Sequence, residues 1–305
     1  MPDRRPAISI QNVTKCFGDV TAVRQLDLDV PDGCVIGFLG PNGAGKSTTI
    51  RMIMSIIYAD QGHIEVLGRS ALDAKDRIGY LPEERGLYRR MRVRAFLRYI
   101  GRLKGMSRVA ADASAASWLD RLALPEALPR RCEELSKGQQ QKIQFVAAVL
   151  HDPDLIVLDE PFSGLDPVNA ALLSRVIREL HDEGRTIVFS THVLHQAELL
   201  CDRIFLIDRG VKLLDDDLEV IRDRFRERII NVELADGATL PAIPGTHAGE
   251  PGEPGGPLEL HVDDGMDEQT VMRSVIEAAP IRSVALREPS LDDIFTRLVT
   301  EGHTP

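Results

Sequence analysis

Nine consecutive residues, Gly40-Pro41-Asn42-Gly43-Ala44-Gly45-Lys46-Ser47-Thr48, fit the pattern GxxxxGK[ST]. The chemistry of that pattern is phosphate binding. Its glycines let backbone N–H groups curl around phosphate oxygens, and a helix opening at the loop adds the positive end of its dipole. Lys46 then reaches the β- and γ-phosphates of a bound nucleotide, and the Ser47 hydroxyl is placed to bind Mg²⁺. A glycine-rich turn with no ligand leaves Lys46 and Ser47 unexplained. A second run, Leu155-Ile156-Val157-Leu158, ends in Asp159 and Glu160. At the C-terminal edge of a parallel sheet, beside a phosphate loop, Asp159 can hold magnesium directly or through water, and Glu160 can polarise an attacking water. Acidic residues also end strands where chains turn, so this reading depends on the phosphate loop.

Positioning these residues requires particular elements. Cys34 to Leu39 is nearly continuously apolar, as a strand buried on both faces is, and Ser47 to Ile57 carries helical periodicity. Leu155–Leu158, Thr186–Phe189 and Arg203–Ile207 read as further buried strands. Leu172, Val176, Ile177 and Leu180 mark a helix capped by Asp166, with Pro167 at its first position and Gly184 past its end. Alternating strands and helices imply a mostly parallel, helix-covered sheet. Ala7–Val13 and Leu26–Val30 alternate as half-buried antiparallel strands do. Between Arg92 and Leu135 the pattern is helical throughout, which reads as an insert. Beyond about Arg226, strands at Arg228–Leu234, Leu258–Val262 and Ile281–Leu286 and helices at Glu268–Ala278 and Leu291–Val299 form a small α+β module. Its stretch from Gly237 to Pro257 holds six glycines and five prolines, the composition of a flexible loop rather than of a core.

Composition bounds the function. The 305 residues carry a net charge of −10, which argues against nucleic-acid binding through a broadly basic surface. One segment opposes the trend: Arg85 to Arg108 holds nine basic residues and no acidic one, either a docking or anionic-surface patch or a solvated helix face. No apolar run approaches the roughly 18 residues of a spanning helix, and the charged Met1–Pro6 start is unlike a secretory signal, so a cytosolic address is expected. Cys16, Cys34, Cys132 and Cys201 are scattered without a CxxC pair, as reduced packing residues are.

Leu135-Ser136-Lys137-Gly138-Gln139 precedes an apolar helix, and with it the sequence resembles the ATP-binding cassette family, whose signature is LSGGQ followed by a helix and the Asp-Glu strand. Other family elements fall in order: Phe17 where an aromatic residue stacks on adenine, Ser163-Gly164-Leu165-Asp166 where the D-loop lies, and Ser190-Thr191-His192 where a switch histidine ends a strand. The resemblance spans Ala7 to about Phe225. It implies an α/β fold, a P-loop NTPase sheet with an antiparallel β subdomain and a helical insert (about 85–150), followed by a small C-terminal α+β domain over 226–305. It further implies that two cassettes pair head to tail, in the simplest case as a homodimer. The Ser136, Gly138 and Gln139 of one then close over the γ-phosphate held by Lys46 of the other, Glu160 activates water, and His192 contacts the γ-phosphate. Closure and release would drive a separate multi-spanning permease from the cytoplasmic face of the membrane.

Two positions depart from the pattern. Lys137 replaces the first signature glycine; it can pair with phosphate or face solvent, and a solvent-facing place is expected. In Ile78-Gly79-Tyr80-Leu81-Pro82-Glu83, Glu83 stands where most cassettes carry the Q-loop glutamine; it can ligate or water-bridge Mg²⁺ but adds negative charge near the phosphates. In the family, the segment after this loop receives the coupling helix of the membrane subunit, which tilts the basic stretch toward a permease or lipid-headgroup interface. The C-terminal module, through Glu288-Pro289-Ser290-Leu291-Asp292-Asp293-Ile294-Phe295, resembles the small domain of bacterial sodium- and drug-efflux cassettes, which points to export; the alternative is a regulatory or dimer-stabilising appendage with no bearing on cargo. The competing reading is a soluble cassette ATPase acting on ribosomes or DNA. Those commonly carry two cassettes, or long coiled coils between phosphate loop and signature; here a compact insert separates Lys46 from Ser136 and there is one cassette.

Overall fold

The computed structural model describes residues 6–84, 86–235, 237–249, 257–263 and 265–301. Arg85 of the basic stretch and residues 250–256 of the Gly/Pro-rich segment lie outside the described residues. Two compact units divide at Leu218/Glu219, the second running to Arg297, against an expected division at Phe225/Arg226.

The first unit opens with β1 (Ile8–Phe17), β2 (Val20–Val30), β3 (Val35–Leu39), α1 (Lys46–Ile53), β4 (Gln61–Val66) and β5 (Ile78–Leu81). The helices α2 (Val93–Leu103), α3 (Arg108–Arg121) and α4 (Lys137–Val149) follow, then β6 (Leu155–Asp159), α5 (Pro167–Asp182), β7 (Thr186–Thr191), α6 (Leu194–Leu200), β8 (Arg203–Asp208) and β9 (Val211–Asp217), and the division falls within α7 (Leu218–Arg224). Six strands form one sheet in the order β5-β6-β7-β3-β8-β9, parallel except for β9. Every residue of β3, β6 and β7 is buried, as their unbroken apolar character requires of strands covered on both faces. A separate antiparallel sheet, β2-β1-β4, places alternate residues such as Leu26, Leu28 and Val30 inward. It shares one core with Ile50 and Ile53 of α1 and with Phe38 and Phe205 of the larger sheet, so α1 is gripped from both sides.

The first helix ends earlier than its periodicity predicts. Ser55 takes a left-handed φ of 53°, and the N–H groups of Ile56 and Ile57 both turn back to the Arg51 carbonyl. The helix of α5 has its expected terminal residues: the Asp166 side chain accepts from the Asn169 N–H at 2.9 Å, Pro167 follows, and Gly184 with φ 86° lies past its end. The insert is helical, with Phe96 and Leu97 of α2 and Ala111, Ala115 and Leu119 of α3 buried. Its basic stretch is only partly a free face. Arg98 forks onto Asp112, Arg92 donates to the Pro129 carbonyl, and Lys104 donates inward to the carbonyls of Lys75 and Ile78; Arg89, Arg90, Arg94, Arg102 and Arg108 are exposed. Of the cysteines, Cys132 and Cys201 are buried, but Cys16 is exposed.

The second unit has its own sheet and core. After β10 (Ile229–Leu234) come β11 (Thr246–Ala248), β12 (Leu258–Val262), α8 (Glu268–Ala278), β13 (Ile281–Leu286) and α9 (Leu291–Glu301), with sheet order β11-β12-β10-β13. Ile230, Val232, Leu260 and Val262 pack against Val271 and Val275 of α8. The expectation of a coreless loop from Gly237 to Pro257 is corrected in part: Ile243 is buried in this core and β11 pairs with β12. Two apolar anchors, Leu240 and Ile243, suffice to dock a segment whose composition otherwise reads as loop.

Candidate functional site

Parallel pairing of β6, β7 and β3 brings three strand ends to one edge: Leu39 lies opposite Thr191, and Asp159 opposite Ser190. The phosphate loop therefore begins, and the acidic pair and His192 follow, along the same rim. Gly40 permits the loop to leave β3, since its φ is 147° and a Cβ there would stand 2.1 Å from the Ile207 carbonyl oxygen. Helix α1 starts at Lys46, and its first N–H groups have no partner within the helix. They face a concave loop bordering a cavity of about 270 Å³, lined among the described residues by Ala22, Asn42 to Thr48, Glu83 and Glu160.

Lys46 is folded back over the loop, donating to the carbonyls of Gly40 at 2.6 Å and Pro41 at 3.0 Å. Burial holds its pKa below the ordinary lysine value, against the charges of Glu160, Asp159 and Glu83, which favour the cation. Asp159 is 1% exposed. Its Oδ1 accepts from the Ser190 hydroxyl at 2.5 Å and the Ser47 hydroxyl at 3.4 Å, while its Oδ2 is buried without a partner. Burial raises the Asp159 pKa; the Ser190 hydrogen bond opposes this and the charge of Glu83 adds to it. A lone pair sealed from water and unpaired is costly unless a cation or water takes it, so this donor set fits a small oxygen-seeking dication. Tyr80 of β5 is pushed up to about 12, first by burial and then by Asp159.

Glu160 adopts a left-handed φ of 51° immediately after the strand. Its N–H donates to Ser190 Oγ at 3.0 Å, and its Oε1 accepts from His192 Nδ1 at 3.0 Å. A carboxylate accepts only, so Nδ1 carries the proton. Ser190 thus bridges the two acidic residues, a role that reading the sequence alone did not assign to it. Its signal was the hydroxyl residue aligned with Asp159 at the end of a buried strand. Gln141 of α4 is the second residue missed. Its amide donates to the Pro161 carbonyl at 3.0 Å and ties the signature helix to the loop after Glu160.

Other expected residues lie outside this cavity. Ser136 caps α4 in a reciprocal pair with Gln139, its hydroxyl accepting from the Gln139 N–H at 3.2 Å and its own N–H donating to Gln139 Oε1 at 3.0 Å. Gly138 sits near Leu165, and Lys137 is exposed. Asp166 spends its carboxylate on Asn169, whose N–H lowers its pKa. Phe17 ends β1 half exposed, with Lys15 Nζ 5.3 Å from its ring centre.

Comparison with known proteins places this geometry. Residues 23–163 match the model of the ABC transporter family, and 217–299 match the DrrA1-3-like C-terminal domain of ATP-binding proteins. An ABC transporter ATP-binding protein of Bacillus subtilis, YhaQ, is 40% identical over 96% of this chain and 98% of its own. The Rhizobium etli Nod factor export ATP-binding protein I is 34% identical over 96% and 93%. A solved ATP-binding subunit of an ABC transporter superposes with a TM-score of 0.67 at 29% identity, covering 72% of this chain and 93% of that one. A phosphate cradle at the edge of a parallel sheet, joined to near full-length similarity of this kind, establishes that the chain belongs to the ABC transporter family as an ATP-binding, ATP-hydrolysing subunit.

Proposed function

We propose that two copies of this chain pair head to tail around ATP and power export through a separate multi-spanning permease, docked at the cytoplasmic face of the membrane. The observation that carries the pairing is the incompleteness of the site: Ser136, Gly138, Gln139 and Asp166 lie outside the cavity around Lys46. In the pair, the signature of one chain supplies donors to the γ-phosphate held by the other. No helix among the described residues is long and apolar enough to cross a membrane. Export is supported by relatives named for Nod factor export and linearmycin resistance.

Within each site Lys46 exchanges the Gly40 and Pro41 carbonyls for the β- and γ-phosphate oxygens, and α1 adds its unpaired N–H groups. Ser47 and Asp159, with Glu83, would hold Mg²⁺, which when bound would neutralise charge on the transferring phosphoryl group. Glu160 orients a water in line with the γ-phosphorus and takes its proton. His192 holds Glu160 through Nδ1–H. The neutral ring then has no proton on Nε2, so its donation to the γ-phosphate requires the cationic ring or release of Glu160. Phe17 offers a ring face to adenine.

Affinity capture of the tagged Glu160→Gln chain from detergent-solubilised membranes, with ATP present, tests the transporter assembly. Stoichiometric recovery of one multi-spanning protein is expected. Recovery of ribosomes or nucleic-acid proteins instead, with the chain absent from membranes, would overturn it.

A further inference from the structure

The phosphate cavity is unbalanced in charge. Glu83 and Glu160 line it together with Lys46, and Asp159 stands behind Ser47 with a buried, unpartnered Oδ2. The charge of Glu83 acts on both Lys46 and Asp159, and the further cation acting on Asp159 is Arg51 of α1. Three carboxylates thus confront two cations before a polyanionic nucleotide arrives. The family's glutamine at this position offers a carbonyl oxygen without charge; Glu83 offers the same oxygen with one.

We propose that Glu83 makes nucleotide loading depend on the divalent cation, so that the site takes ATP as its metal complex and discriminates against the metal-free nucleotide. This rests on the reading of Ser47 and Asp159 as the Mg²⁺ ligands. Metal-free ATP meets Glu83 as a like charge across the cavity, whereas a dication between them is attracted by both. The carboxylate therefore weakens one mode of binding and strengthens the other, and a neutral isostere relaxes both effects together. Like charges about 3–6 Å apart across a water-filled, open cavity correspond to roughly three- to tenfold in affinity.

The test is titration of the full chain with ATP, once in EDTA and once in excess Mg²⁺, taking the ratio of the two affinities. Glu83→Gln is expected to bind metal-free ATP about three- to tenfold tighter than the unaltered chain and to show a ratio smaller by at least that factor. Glu84→Gln, which removes the same charge from an exposed neighbour outside the cavity lining, should keep the original ratio. An unchanged metal-free affinity in Glu83→Gln would overturn the proposal, as would an equal shift in Glu84→Gln. Failure of the underlying ligand reading shows separately, as an Asp159→Asn protein that retains the full Mg²⁺ dependence.

Discussion

The hydroxyl of Ser190 accepts from the Glu160 N–H and donates to Asp159 Oδ1, so one small side chain fixes the direction of both acidic residues. Donation to a buried carboxylate is the stronger class of hydrogen bond, and its loss leaves Asp159 with fewer partners in a site closed to water. Ser190→Ala is therefore expected to lower stability by about 1–3 kcal/mol and to slow ATP hydrolysis while leaving ATP affinity within a few fold, since the phosphate cradle is untouched. Chemical denaturation and steady-state kinetics on the same preparation check this. A variant as active as the parent would show that the bridge does not position Glu160. The residues that meet at the candidate site were legible in the sequence, because Lys46, Ser47, Asp159 and Glu160 belong to contiguous runs between patterned elements. Ser190 and Gln141 were not, because their roles arise from β7 and α4 lying beside β6, a proximity that no local spacing encodes.

At the level of elements, β5 and α4 hold the Glu83 segment in place by close approach. A Cβ at Gly79 would lie 2.2 Å from the Ala148 carbonyl oxygen, so Gly79→Ala must push strand from helix. Its expected cost is about 1–3 kcal/mol, as for overpacking a core, with weakened Mg²⁺-ATP binding as Glu83 shifts. Thermal unfolding and nucleotide titration would register both effects, and a Gly79→Ala protein with parental stability would contradict the packing. Two further ties converge on the Ile78 carbonyl, from Lys104 Nζ at 2.8 Å and His151 Nε2 at 3.1 Å. Burial, then the charge of Lys104, lowers the His151 pKa from 6.5 to about 4. The folded state thus binds this proton less readily than the unfolded one. Stability from this residue is intact above pH 6.5, is lost as the pH falls toward 4, and levels off below that. His151→Gln should lose less stability than the parent between pH 7 and pH 5, measured as urea midpoints; equal losses would contradict the assignment. Elements read most clearly where burial was complete, as in β3, β6 and β7. By contrast β4 went unread because Gln61–Glu65 are largely exposed and lack alternation, and the four residues of β5 are too few to show a period.

For the whole molecule, two cores imply two folding units, one built around α1 and the sheets that grip it, the other around Ile230, Val232 and α8. The change of pattern near Arg226 announced the second unit, while its boundary falls within α7, where helical periodicity runs on without a break. In the proposed pair, ATP joins two copies of this chain through the Ser136 segment. The most direct measurement is the solution mass, by light scattering, of Glu160→Gln in ATP and Mg²⁺, in ADP and Mg²⁺, and with Ser136→Arg added. A doubled mass is expected in ATP alone, a single-chain mass in ADP, and a single-chain mass in ATP when position 136 is altered although nucleotide still binds. A nucleotide-saturated Glu160→Gln protein that stays at single-chain mass in ATP, or a pair indifferent to both nucleotide and Ser136, would contradict it.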